Sequence, residues 1–306
     1  MRVFVAGGTG VLGRATVPRL VAADHEVVAV ARTPERADRL RSTGAVPVTV
    51  DLFDPAAVRA AMEGCEAVVH MATSIPPLSQ AWRGSAWATN DRLRREGTRI
   101  LADAAVAVGA TVMVKETVCF FYPDAGSAWI GEDVPVVRQP FSAASIEAED
   151  TTTAFTADGR RGVVLRFGLF YSADSRSTEE NLRMARFGFG PVIGPGDAYQ
   201  SSIHVDDAAT AVLAALDVPA GTYNVADEPI TKAAWNAAFA QAFGTRRLRP
   251  TPKWVMRLGG KKLAVLGASR RVASTRFRDA TGWTPVYADA TVGLPVVAAE
   301  HEAGST

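Results

Sequence analysis

One short segment constrains the fold of this chain more than any other: Val3-Phe4-Val5-Ala6-Gly7-Gly8-Thr9-Gly10-Val11-Leu12-Gly13. Val3–Ala6 is a compact apolar run that predicts a buried strand, and the residues from Leu12 to Ala22 have the spacing of a helix. The chain must turn sharply between the two, and the glycines stand where that turn needs them. Gly7 permits the turn, Gly10 lets backbone approach a phosphate with no Cβ in the way, and Gly13 lets helix pack on strand. Backbone N–H groups around Thr9, Gly10, Val11 and Leu12, with the positive end of the helix dipole, then face a dinucleotide pyrophosphate. A glycine triplet alone is a weak signal; the strand before it and the helix after it give it weight.

The end of the second strand, Glu26–Ala31, discriminates between cofactors. An NAD-binding chain places a carboxylate there to accept from the ribose 2′-hydroxyl. Here Arg32 follows instead, with Thr33 and Arg36 close behind. A guanidinium suits a 2′-phosphate because it pairs with phosphate in bidentate fashion, so the expected cofactor is NADP(H). Asp51 and Leu52 after the third strand are placed to meet the adenine, and His70, Met71, Ala72 and Thr73 after the fourth to line the dinucleotide cleft. A lone histidine such as His70 is more often a packed core residue than a catalyst.

The remaining pattern predicts an α/β fold. Strands at Val46–Val50, Ala67–His70, Thr111–Val114 and Val163–Phe167 alternate with helices at Pro34–Ser42, Pro55–Met62, Asn90–Val108 and Ser142–Thr156, the signature of a doubly wound parallel sheet, or Rossmann fold. After Phe167 the alternation fails, and glycine and proline become dense from Gly188 to Gly196. The expected division is therefore a dinucleotide-binding domain at 1–170, rejoined by 200–226 with a further strand at Thr222–Val225. A smaller substrate-binding region is expected at 171–199 and 227–306. The aromatics Phe187, Phe189, Tyr199 and Trp254 are expected to shape a pocket or its lid, and Trp82, Trp87 and Trp129 would suit an apolar or aromatic ligand.

A chain of 306 residues with a formal charge of +1 offers no electrostatic reason to expect nucleic acid or an anionic membrane as partner. Two cysteines, Cys65 and Cys119, lie in apolar stretches, so a disulfide framework is not indicated and a reducing cytoplasm fits. The N-terminus enters a short strand and a glycine turn at once, unlike a signal peptide, and no apolar run reaches membrane-spanning length. His204 with Asp206 and Asp207 has an economical explanation as a helix cap, and no metal is expected.

The segments Gly7–Gly13, Val68–Ala72, Glu96-Gly97-Thr98, Leu165–Tyr171 and Ile203–Asp207, with the late Asp279–Pro285, resemble the extended short-chain dehydrogenase/reductase superfamily, in particular its NAD(P)-dependent epimerase/dehydratase group. The resemblance implies a catalytic Ser or Thr after the fifth strand and a Tyr followed four residues later by Lys, the Tyr moving a proton and the Lys lowering its pKa. Thr117 matches the first position. Counting back from Glu149, which resembles the glutamate closing the helix motif, the Tyr position falls on Phe141 and the Lys position on Ser145. None of the five tyrosines is followed by lysine at that spacing. Tyr122, just past Thr117, is the best substitute acid, with packing in the substrate wall as its alternative role. Phe141, Ser145, Tyr171 and Tyr199 are expected against the substrate.

Three functions follow as expectations. The first is an NADPH-dependent reductase of a small carbonyl, conjugated enone or iminium, with Tyr122, Thr117 or water as proton donor. The second is a non-redox epimerase, dehydratase or cyclase acting on a sugar or natural-product intermediate, and the third a catalytically silent NADP(H) sensor or scaffold. The resemblance also implies a possible homodimer through the helices at Asn90–Val108 and Ser142–Thr156.

Overall fold

The computed structural model of the chain describes residues 1–77, 79–80, 83–246, 248 and 265–304. They form two compact units: Met1–Thr117 with Arg138–Leu165 and Ala209–Tyr223, and Val118–Val137 with Arg166–Ala208 and Asn224–Thr306.

The spine of the first unit is a seven-stranded sheet. Its strands are β1 (Arg2–Ala6), β2 (Glu26–Val30), β3 (Val46–Val48), β4 (Ala67–His70), β5 (Val112–Val118), β7 (Arg161–Phe167) and β11 (Gly221–Val225), in the order β11-β7-β5-β4-β1-β2-β3. β1 pairs in parallel with β2 (Val3 opposite Val27) and with β4 (Val3 opposite Ala67), so the strand order reverses at its carboxyl end. β4 is buried along its whole length, which is why it reads as a continuous apolar run rather than an alternation. The seventh strand, beyond the six of the main alternation, is the one expected near Thr222–Val225.

Local chemistry starts the helices. Gly10 precedes α1 (Val11–Ala22) with no side-chain cap, so the first-turn N–H groups receive no side-chain acceptor from the capping position. Thr33 caps α2 (Pro34–Arg41) by accepting from Arg36 N, and Asp54 caps α3 (Pro55–Ala61) by accepting from Ala56 N and Ala57 N. The helix expected at Asn90–Val108 is built from α4 (Ala88–Arg92), a π-helical segment Leu93–Gly97 and α5 (Thr98–Val108). Arg94 in the π segment is buried, and such wide turns recur at functional sites. α6 (Ala143–Ala154) packs on the π segment and on α5.

The second unit is assembled from short pairs. β6 (Trp129–Ile130) pairs with β13 (Arg271–Val272), β8 (Leu169–Tyr171) with β10 (Ser202–His204), and β9 (Tyr199–Gln200) with β12 (Ile230–Thr231). Its core packs Trp235 and Phe239 of α9 (Lys232–Ala242) against Leu294 and Val297 of the helix Ala290–Ala303. The division differs from the expected one in four places, with 118–137, 166–170, 200–208 and 224–226 in the second unit. Residues 118–137 go with the second unit, because β6 pairs with β13 and Glu132 accepts from Asn224 N at 2.7 Å. The return to the first unit begins at Ala209, within α8 (Val205–Ala214), rather than at 200.

Candidate cofactor and active site

The glycine turn leaves room for backbone and nothing more. Gly7 has φ +96°, and a Cβ there would lie 2.5 Å from Ala72 N. A Cβ on Gly13 would overlap Gly7 O and come within 2.6 Å of Gly8 Cα, while one on Gly10 would meet Gly7 O at 3.3 Å. Met71 and Ala72 thus run directly beside the turn, with Thr73 following them half-buried. Thr9 is half-buried and Leu12 is buried. This cradle, with the first-turn N–H groups of α1 around Val11 and no acid in that turn, fits a pyrophosphate.

Arg32, Thr33 and Arg36 are all exposed at the end of β2 and the start of α2. Among the described residues neither guanidinium is paired with a carboxylate, and the Thr33 hydroxyl is committed to the helix cap at 3.4 Å. Asp51 accepts from Phe53 N at 3.0 Å on the surface, and Leu52 is buried in the core beneath it.

Thr117 at the end of β5 is fully buried and donates to Glu149 Oε1 of α6 at 2.7 Å. Its proton is therefore directed at a buried carboxylate. Phe141, in the turn ahead of α6, is 40% exposed, and Ser145 within that helix is buried. Beside Thr117 lies a set of charges that sequence reasoning did not single out as a unit. Lys115 Nζ donates to Glu116 O at 2.7 Å and to His70 O at 3.3 Å, and stands 3.7 Å from Glu116 Oε2. Arg94 Nη2 lies 3.6 Å from Glu116 Oε1, yet Arg94 Nη1 and Glu116 Oε2 are buried without a hydrogen-bond partner among the described residues. Burial pushes the Lys115 ammonium down to about 7, against the opposing pull of the Glu116 carboxylate. Burial and the charge of Lys115 hold His70 neutral, in keeping with the core role expected of it. The available signal was a lysine and a glutamate inside an otherwise apolar strand, Val112–Val118.

In the second unit Tyr122 is almost completely buried. Its hydroxyl accepts from Arg166 Nη1 at 2.8 Å and donates to Asn224 Oδ1 at 2.9 Å, and burial raises its pKa to about 12. That environment favours a structural tyrosine over a proton donor. Tyr171 is likewise buried, donating to Asp227 Oδ2 at 3.0 Å. Tyr199 is half-buried, and the guanidinium of Arg271 lies over its ring at 4.9 Å and over that of Trp129 at 4.1 Å. Phe187 and Phe189 are exposed ahead of a loop that Asn236 and Lys232 clamp, Asn236 through both the N–H and the carbonyl of Val192. Trp82 and Trp254 lie outside the described residues. Cys119 is buried, with its thiol pushed up to about 12. Asp207 accepts from Val286 N and Tyr287 N at 2.8 and 3.0 Å, and no group of three or more potential metal ligands occurs among the described residues. No described helix is long and apolar enough to cross a membrane.

A model of the NAD dependent epimerase/dehydratase family matches residues 3–226. The 3-diazoavenalumate denitrifying reductase of a Streptomyces species is 33% identical over 299 residues, covering 94% of this chain and 97% of its own. The human epimerase family protein SDR39U1 is 28% identical, with 89% of this chain and 88% of its own covered. A crystal structure of human SDR39U1 with NADPH superposes with a TM-score of 0.81 at 26% identity, covering 98% of this chain and 99% of that one.

Proposed function

This chain belongs to the NAD dependent epimerase/dehydratase family, and from that membership we propose that it is an NADP(H)-dependent reductase of a small organic acceptor that needs no proton from a tyrosine. The bound cofactor supplies the hydride. Arg32 and Arg36 support the choice of NADP(H): two exposed guanidinium groups with no carboxylate partner among the described residues suit a 2′-phosphate. The NADPH in the human relative's structure points the same way.

The observation that carries the reaction class is the Thr117–Glu149 hydrogen bond at 2.7 Å. Thr117 matches the family's catalytic hydroxyl, and its proton is turned inward to a buried carboxylate. Phe141, which matches the tyrosine position by count from Glu149, has no proton to give. Acceptors completed by hydride alone, or with a proton from water, fit such a site. An iminium carbon takes hydride and becomes an amine. An aryl diazonium ion takes hydride on its ring carbon while the C–N electron pair leaves with N2, so no proton is consumed. A conjugated enone takes hydride on carbon and its proton from water. The relative from Streptomyces, whose name makes it a reductase with a diazo substrate, supports this class.

The test is to incubate the protein with NADPH deuterated at the nicotinamide C4 and a panel of iminium, enone, quinone and aryl diazonium acceptors. Deuterium in a product, with stoichiometric NADPH consumption, is expected. NADPH that binds tightly yet is not oxidised across the panel overturns the reading. The family description also keeps an epimerase or dehydratase in play, which would give product isomers with no net change in cofactor. On the same reading the chain pairs through α5 and α6, and a monomer mass at micromolar concentration would remove that part.

A further inference from the structure

Arg270 and Arg271 are neighbours in the second unit, and they use their side chains in opposite ways. Successive residues of an extended chain project to opposite faces. Arg270 turns inward, with Nε donating to Tyr122 O at 2.8 Å and Nη1 to Val265 O at 2.7 Å. The side chain of Arg271 makes no hydrogen bond and no ion pair with any described residue, and its Nε is buried without a partner. Its guanidinium is instead stacked, 4.1 Å from the centroid of the Trp129 ring and 4.9 Å from that of Tyr199.

The backbone beneath this stack is tied down on every side. Arg271 and Trp129 are opposite one another in the parallel β13–β6 pair. Arg270 N donates to Tyr199 O at 3.0 Å, and Tyr199 N donates to Ser269 Oγ at 2.8 Å. Ser269 Oγ in turn donates to Gly126 O, just ahead of Trp129. The three side chains are therefore presented by a preorganised frame, and Trp129 is 47% exposed, so the stack is open to a ligand.

Stacking occupies the faces of a guanidinium and leaves its in-plane edge, where all five N–H donors lie. That edge matches a planar carboxylate in bidentate fashion. One guanidinium balances one negative charge, the charge of a carboxylate, whereas a phosphate dianion calls for further donors. Nε is closed off, but the Nη donors have no partner among the described residues, which gives a ligand something to satisfy. The geometry points to Arg271 as the anchor for the carboxylate of a ligand, with Trp129 and Tyr199 as flat walls beside it, so that the ligand is an aromatic or conjugated carboxylic acid. Calling that acid a substrate rests on the reductase reading.

Binding of trans-cinnamate and of the uncharged cinnamamide to the full-length protein, measured by calorimetry without cofactor, tests the anchor. Cinnamate is expected to bind, cinnamamide at least about tenfold more weakly, and Arg271→Gln to bring cinnamate down to the level of the amide. Arg271→Lys is expected to restore only part of the affinity, because an ammonium lacks the fork. Thermal midpoint and NADPH affinity report whether the variants fold, and Trp129→Leu, which removes one wall and keeps the charge, is expected to weaken cinnamate severalfold. If Arg271→Gln does not fold, Arg271→Lys and Trp129→Leu carry the test. No cinnamate binding by the wild type, equal binding of acid and amide, or indifference to Arg271 overturns the anchor. Displacement of cinnamate by inorganic phosphate at lower concentration than by acetate overturns the carboxylate assignment. Arg271-dependent binding with no NADPH oxidation by any carboxylate acceptor leaves the anchor standing and removes the reductase; turnover indifferent to Arg271 does the reverse.

Discussion

Arg32 and Lys115 are both cations, and their surroundings give them opposite tasks. Arg32 is exposed with no ion pair among the described residues, so its charge is available to a phosphate. Losing a charge-assisted hydrogen-bond pair costs about 1.5–3 kcal/mol, so Arg32→Ala is expected to weaken NADPH roughly 10–100-fold and NADH hardly at all. Equal losses for the two cofactors, measured by fluorescence titration, would remove the 2′-phosphate role. Lys115 is sealed inside β5, where burial holds it at about 7 against an ordinary 10.5. Between those values the unfolded chain carries a proton that the folded chain lacks, so raising the pH favours the fold. The stability of wild type relative to Lys115→Met should therefore climb between about pH 7 and about pH 10, by up to about 1.4 kcal/mol per unit. Denaturant titrations showing a flat difference would mean that Lys115 stays charged in the fold.

At the scale of elements, the join between β1 and α1 depends on a missing atom. A Cβ on Gly13 would overlap Gly7 O and press on Gly8, so Gly13→Ala must push the helix away from the turn. Overpacking of this kind costs about 1–3 kcal/mol, and the displaced first-turn N–H groups should lose NADPH affinity by more than tenfold; a variant with wild-type melting and binding would refute the cradle. This join was legible in the sequence because strand, glycines and helix are contiguous and each has a local signature. The same holds for β4 and for the helices that begin at Pro34 and Pro55. What the sequence concealed involves partners far apart along the chain: the hydrogen bond from Thr117 to Glu149, the pairing of Trp129 with Arg271, and the commitment of the Tyr122 hydroxyl to Asn224 and Arg166. The π turn at Leu93–Gly97 escaped for another reason, since one widened turn barely disturbs a helical period.

For the whole molecule, a ligand that binds only the folded chain stabilises it by mass action, by about 2.7 kcal/mol at a hundred times its dissociation constant. NADPH is therefore expected to raise the thermal midpoint by several degrees, and more than NADH at equal concentration; calorimetric scans showing equal shifts would count against the cofactor assignment. The division into two units was only partly readable, because β6 lies in sequence just after β5 yet its partner strand β13 comes near the end of the chain. A last consequence follows from the two buried thiols. Cys65 and Cys119 are the only cysteines of the chain, both are sealed in its cores, and burial raises both thiol pKa values, that of Cys119 to about 12. Reactive thiolate is scarce at either position, so the native protein should be silent to maleimide reagents. A single cysteine introduced at exposed Phe187 would then take up dye alone, making the rim of the clamped loop a ready place for a fluorescent reporter.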